Sequence, residues 1–212
     1  MSATPPRRSE PDDAPSPPRP IGDLEDAYLR RAISELSELQ GDLAGLAEED
    51  GQPLPVHPSG SPRAEIFMVK WHAGLSERQE GVAFFGRPGD AILKSIQRLG
   101  VEPLLLYGTV CAKRDDWAVA ECVPWLEREL AIVRPKLVVP MGHRALECMA
   151  AVQAPLADPL LDEPGTIQKW TPTTDVIVVP DIDESLDEQG AKRAFWAAFR
   201  AVGDWYAAQP PY

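Results

Sequence analysis

The chain has 212 residues, of which 44% are hydrophobic and 25% charged, so it is long enough for one domain with a substantial core. It holds no apolar run of the roughly 18 residues that a membrane span needs, and no secretory signal, so we expect a cytoplasmic protein without membrane contact. The net charge is −12, with no dominant basic stripe, which argues against tight non-specific binding to nucleic acid.

The N-terminal part of the chain divides into a tail and a helix. Residues 1–22 are rich in proline and poor in large apolar residues, so they are predicted to form a disordered tail. Apolar residues then recur at steps of three and four from Asp23 to about Gly51, which predicts an amphipathic helix. Residues 23–208 are predicted to form a single domain.

Strands and helices alternate through the rest of the chain. Short apolar runs predict buried strands at 66–69, 104–107, 137–139 and 175–179. Helical patterns follow at 90–99, 118–133, 142–151 and about 186–206. This order predicts an α/β fold, a three-layer α/β/α architecture with a central parallel four-stranded sheet. Ligands bind such sheets at the carboxyl ends of the strands, which directs attention to the loops that follow them.

The three cysteines, Cys111, Cys122 and Cys148, contain no Cys-x-x-Cys pair. We interpret them as reduced, partly buried thiols, as suits a cytosolic protein. No two histidines have the spacing of metal ligands. The sequence therefore predicts no metal and no cofactor.

Four stretches, in order, resemble the family 4 uracil-DNA glycosylases. They are the first strand at 60–69, the loop Gly-Val-Ala-Phe-Phe-Gly-Arg-Pro-Gly at 81–89, the strand end Leu-Tyr-Gly-Thr-Val-Cys-Ala-Lys at 106–113, and the segment 122–145 with its Cys-Val-Pro-Trp-Leu helix. The resemblance implies the family's four-stranded parallel sheet between helices. It also places substrate-binding positions at Trp71, Gly74, Phe84, Val110 and Lys113, of which Phe84 matches the aromatic ring that stacks under uracil.

The sequence departs from the family at the positions that carry its chemistry. Trp71 stands where the family has the acid that activates water, and an indole offers only an N–H donor. Val110 stands where an asparagine reads the uracil edge. Residues 180–185, Pro-Asp-Ile-Asp-Glu-Ser, replace the family's His-Pro-Ser loop. These changes predict a degenerate active site without efficient uracil excision.

The resemblance also implies a 4Fe–4S cluster, which this sequence does not support. The family binds it with four thiolates. Here Cys122 matches the fourth ligand, Arg114 stands at the third, and the N-terminal helix region that should provide the first two has no cysteine. We therefore expect no iron–sulfur cluster.

Several side chains near the strand ends have two interpretations. His72 and Lys70 form either a replacement acid–base and phosphate site or, as we favour, a solvated loop. Trp71 either stacks on a base or, the interpretation we favour, fills the former pocket. Lys113 and Arg114 are interpreted as an ordinary charged loop next to two aspartates.

Three functions stay open at this point. The first is a degenerate superfamily protein that binds a nucleobase-like ligand or nucleic acid weakly. The second is an active DNA glycosylase with rearranged chemistry, in which His72 replaces the lost acid and Asp181 or Asp183 acts as the base. The third is an interaction module whose acidic surface binds a basic protein partner.

Overall fold

A computed structural model describes residues 21–210, which contain a six-stranded sheet in the order β1-β3-β2-β4-β6-β5. The strands are β1 (Ser59–Gly60), β2 (Ile66–Lys70), β3 (Leu106–Val110), β4 (Leu137–Met141), β5 (Ile167–Thr171) and β6 (Thr174–Ile177). The four inner strands are parallel, and the two edge strands, β1 and β5, are antiparallel to their neighbours. The predicted α/β class and the parallel four-stranded centre are confirmed, within a mixed sheet.

Seven helices cover the two faces of the sheet in the described part of the chain. They are α1 (Ile21–Glu49), α2 (Leu75–Glu80), α3 (Arg87–Arg98), α4 (Val119–Val133), α5 (His143–Ala151), α6 (Ile182–Asp187) and α7 (Gln189–Ala207). One apolar cluster joins α3, α6 and α7 to one face, and a second joins α1, α4 and α5 to the other. None of the described helices is both long and apolar enough to cross a membrane.

The apolar strand runs explain why the sheet is covered on both sides. Successive side chains of a strand point to opposite faces. In β2, Ile66 and Met68 join the cluster under α3, α6 and α7, whereas Phe67 and Val69 join the cluster under α1, α4 and α5. All five residues of β2 are buried, as a parallel strand between two helical layers requires.

The structure differs from the predicted elements in several places. Three short elements, β1, α2 and β5, lie where the sequence pattern predicts no strand or helix. The strand predicted at 104–107 is wrong in its first half, because a 3-10 helix that starts at a proline occupies Pro103–Leu105 and the strand runs from Leu106 to Val110. The single helix expected at 186–206 is two helices, because the extended backbone of Glu188 separates α6 from α7. The first helix begins at Ile21, and residues 1–20 of the predicted tail lie outside the described residues.

The strand order places a crevice between β2 and β4. The chain runs from β2 to β3 on one side and then crosses to β4 on the other side of β2. Such a switch point separates the loops that follow the two strands and leaves space between them. The segment after Lys70 and the segment after Met141 border this space.

The two edge strands are short or irregular. The first, β1, has two residues. The other, β5, pairs with β6 with a register shift between Lys169 and Thr171. The side chain of Lys169 is exposed and forms an ion pair with Asp175 on β6, with 2.8 Å between Nζ and Oδ1.

Candidate functional site

The last residue of β2, Lys70, has a fully buried side chain. Its ammonium group lies 2.6 Å from Oε2 of Glu77 and 2.8 Å from Oδ2 of Asp183. The interpretation of Lys70 as a solvated loop residue is therefore wrong. Burying an ammonium group is tolerated when it is paired and hydrogen-bonded, and here two carboxylates from α2 and α6 meet that condition.

The carboxylate of Glu77 joins the segment that follows β2, at Gly74, to the loop at 81–89, at Phe84. It is fully buried. Its Oε2 accepts a hydrogen bond of 2.6 Å from the backbone N–H of Gly74, and its Oε1 accepts one from the backbone N–H of Phe84. With the ammonium group of Lys70, the carboxylate thus has three donors, two of them in the backbone. Hydrogen bonds to an ionised acceptor are the stronger kind, so Glu77 fixes both loops.

Phe84 is held in an unusual backbone conformation. Its φ of +59° lies in the left-handed region, which is uncommon for residues other than glycine. A Cβ atom on Gly108 would lie 2.7 Å from Cδ2 of Phe84, so only glycine at that position leaves room for the ring. The ammonium group of Lys70 lies over the ring, 5.6 Å from its centroid. The side chain placed against this aromatic face is therefore a cation of the protein itself.

Trp71 points to the opposite face of the sheet from Lys70, as the alternation of a strand requires. Its indole packs in the cluster under α1, α4 and α5, and the guanidinium group of Arg144 lies 3.9 Å from its ring centroid. The prediction that Trp71 fills the former pocket at Phe84 is therefore wrong. In the structure it is Lys70 that lies against the ring of Phe84. Val110 pairs with Lys70 across β2 and β3 and is buried among aliphatic side chains.

A cleft of about 740 Å³ opens at the switch point between β2 and β4. Its lining includes Trp71, His72, Arg144 and Asp181. The side chain of His72 is exposed, and Asp181 caps α6 by accepting a hydrogen bond of 2.7 Å from the backbone N–H of Asp183. The structure thus brings His72 and Asp181 to one cleft, whereas the carboxylate of Asp183 turns inward to Lys70.

Two of the cationic groups around this cleft are paired with carboxylates. Arg78 forms two hydrogen bonds, of 2.7 and 2.6 Å, with the carboxylate of Asp115. Hydrogen bonding to Asp162, followed by the charge of Glu147, raises the pKa of His143. Asp181 and Glu184 also line the cleft and form no ion pair with the described residues, so the exposed Arg144 adds one cation to a lining whose other charges sum to a negative value.

Lys113 lies away from Phe84, in a second buried network. Its ammonium group lies 2.7 Å from Oγ1 of Thr109 and 2.8 Å from Oε1 of Glu129 on α4. Burial and then the Glu129 carboxylate raise the pKa of neighbouring Tyr107. The interpretation of Lys113 as part of an exposed charged loop is wrong, because Glu129 offers a carboxylate inside the α4 face.

The cysteines do not fit a four-thiolate cluster. All three are buried under α4 and α5. Hydrogen bonding to Cys148, and then burial, raise the pKa of Cys122, and contact with Cys111 raises that of Cys148. Arg114, at the position that matches the third ligand, forms ion pairs with Asp50 and Asp116. Within residues 21–210, no group of three or more histidine, cysteine or acidic side chains has an arrangement suited to a metal ion.

Comparison with known proteins agrees with this architecture. A profile of the uracil DNA glycosylase superfamily matches residues 57–200. The chain belongs to the uracil-DNA glycosylase superfamily. The type-4 uracil-DNA glycosylase of Sulfurisphaera tokodaii is similar to this superfamily member, with 32% identity over 95 residues. Those residues make up 41% of this chain and 43% of the archaeal protein, so the match spans less than half of that relative.

Sequence reasoning missed two residues that organise the site. Glu77 lies in a segment for which the sequence pattern predicts no strand or helix, and the pattern does not indicate which way Arg144 points from the start of its helix. A signal for Lys70 existed, because a single cation ends a strand whose other residues are all apolar. Its partners lie seven and 113 residues along the chain, and only the fold shows that they meet.

Proposed function

We propose that this superfamily member does not excise uracil efficiently and that its cleft retains weak binding of a nucleobase-like ligand or nucleic acid. The observation that carries the proposal is the ammonium group of Lys70 over the ring of Phe84. The resemblance places the stacked base against that ring. A base can reach it only after Lys70 leaves two carboxylates.

The residues around Lys70 support the same conclusion. An enzyme that flips a base needs to stack it, read its edge and exclude water. Val110 provides no donor and no acceptor for an edge, and Trp71 provides no negative charge to align water or stabilise a cationic transition state. Two of the family's contributions are therefore absent at the matching positions.

The cleft supports retained binding. The exposed guanidinium group of Arg144 lies against the ring of Trp71 at the edge of a space of about 740 Å³. An arginine in such a position can contact phosphate without reading a sequence. Since Asp181 and Glu184 line the same cleft and Arg144 is, among the described residues, its one unpaired cation, we expect weak binding with only a slight dependence on salt.

The proposal is tested with uracil-containing single- and double-stranded oligonucleotides. We expect little or no base release by the natural chain. The variant Lys70→Gly/Trp71→Glu/Val110→Asn removes the cation over Phe84 and restores the family's acid and asparagine, and we expect it to exceed the natural chain by about 10²-fold or more. Circular dichroism checks that it is folded. Rapid excision by the natural chain would refute the proposal.

A second candidate function is a glycosylase with rearranged chemistry, because the structure places His72 and Asp181 in one cleft. It predicts base release that is lost by at least about 10²-fold in both His72→Ala and Asp181→Asn. Arg30→Ala, on the distant helix α1, is the matched surface control. Activity that survives both cleft substitutions would exclude these two residues as the acid–base pair.

A further inference from the structure

A groove of about 430 Å³ lies between α3 and the pair α6 and α7. Four exposed cations border it, Lys94 and Arg98 on α3 and Lys192 and Arg193 on α7. Apolar side chains form its floor: Ala91, Ile182, Leu186, Phe195 and Trp196. The groove shares no lining residue with the cleft at Trp71, so it is a separate site.

The cations of this groove are not matched by carboxylates. Among residues 21–210, none of the four lies within 4.0 Å of a carboxylate oxygen, although Asp90 and Glu188 are each one helical turn away from a groove lysine. Asp187, at the end of α6, pairs instead with Arg87, with 3.0 Å between Oδ1 and Nη2. A chain of net charge −12 thus concentrates unpaired positive charge around one groove.

The aromatic rings of the groove favour a peptide over nucleic acid. The guanidinium group of Arg98 lies 4.7 Å from the ring centroid of Trp196 and covers that ring. Phe195 is 4% exposed, so its ring offers little surface. Binding of single-stranded nucleic acid relies on free aromatic faces on which bases stack. The accessible part of the floor is the partly exposed side chains Ala91 and Leu186 with the uncovered part of Trp196, between two rows of cations.

We propose that this groove binds an acidic peptide segment of a partner protein, anchored by one large apolar side chain. The anchor packs against the apolar floor, and flanking aspartate or glutamate side chains pair with the cations of α3 and α7. Complementary charge of this kind speeds association and selects the partner, while the apolar contact supplies residence time. The proposal does not depend on the state of the Lys70 site.

The test uses a fluorescein-labelled peptide of twelve residues, composed of aspartate, glutamate and one central leucine, in an anisotropy titration with the full chain. We expect binding that weakens at higher salt and falls at least tenfold in Lys94→Glu/Lys192→Glu. The control Arg30→Glu/Arg200→Glu changes the net charge equally at exposed positions outside the groove, and we expect a change of less than threefold. Equal losses in both variants would overturn the proposal.

Three further measurements distinguish the occupants. A peptide with serine in place of leucine is expected to bind at least fivefold more weakly, and unchanged affinity would overturn the apolar anchor. A dT12 oligonucleotide that binds more tightly than the peptide, and loses affinity in the groove variant, would make this a nucleic-acid site instead. Sedimentation equilibrium that shows a dimer abolished by the groove variant would assign the groove to a second copy of the chain.

Discussion

Replacing Lys70 by methionine tests whether the buried network stabilises the fold. Methionine keeps most of the apolar stem but leaves the Glu77 carboxylate buried without its cation. Removing one partner of a buried ion pair costs about 3–5 kcal/mol. The lower end applies here, because Glu77 keeps two backbone N–H donors and the Asp183 side chain, 36% exposed, can turn to water. We expect a loss of about 3 kcal/mol in the free energy of unfolding.

The measurement is urea unfolding at pH 7, followed by tryptophan fluorescence, with a thermal scan beside it. A chain of this size should lose about 6–12 °C in Tm for that change. The matched control is Lys169→Met. It breaks the ion pair between Lys169 and Asp175, which at 2.8 Å is as short as that between Lys70 and Asp183, but the side chain of Lys169 is 56% exposed. We therefore expect Lys169→Met to lower the free energy of unfolding by only about 0–1 kcal/mol. A loss below about 1 kcal/mol for Lys70→Met would refute the assignment of this network as a stabilising element.

Three other substitutions or probes have defined outcomes. In an NMR titration, His143 should protonate with its midpoint above the usual value of about 6.5, and Asp162→Asn should lower it, because the carboxylate holds the charged imidazole; an unchanged midpoint would contradict that cause. The three buried cysteines should resist a thiol reagent at pH 8 in the folded chain and all react in urea, since their neighbours and burial raise the pKa of two of them; fast labelling of the folded chain would contradict this. Gly108→Ala should cost about 1–3 kcal/mol, because the added methyl group meets the ring of Phe84, and Gly190→Ala, with open space around it, is the control that should show no loss from crowding.

The strands and long helices could be predicted because their signals are local. Each central parallel strand overlaps a run of apolar residues, although β3 and β6 also contain polar residues, and each long helix repeats its apolar residues at steps of three and four. The helix α2 could not be predicted because it has only six residues, too few for an apolar repeat, and begins after a glycine. The strand β5 could not be predicted because its two apolar residues, Ile167 and Trp170, are three apart and so lack the period-two pattern of a strand. It also follows a stretch rich in proline and aspartate.

The buried charges could not be located from the sequence alone. Lys70 and Glu77 are ordinary surface residue types, and only the fold places them together out of water. Glu129 did leave a local signal, since it lies on the buried side of α4 between Leu126 and Leu130. A carboxylate in that position needs a cation nearby, and the structure shows that Lys113 provides it. The same reasoning, applied to a lysine that ends an apolar strand, indicates an internal partner for Lys70.

The irregular edges of the sheet have a consequence for how copies of the chain meet. A long, flat outer strand exposes unpaired N–H and C=O groups, and these can recruit the backbone of another molecule. The outer strand β1 has two residues, and the register shift of β5 interrupts its ladder beside the charged Lys169. A two-residue strand at one edge and a bulged strand with a charged side chain at the other are features that make poor templates for the extended backbone of a neighbouring molecule.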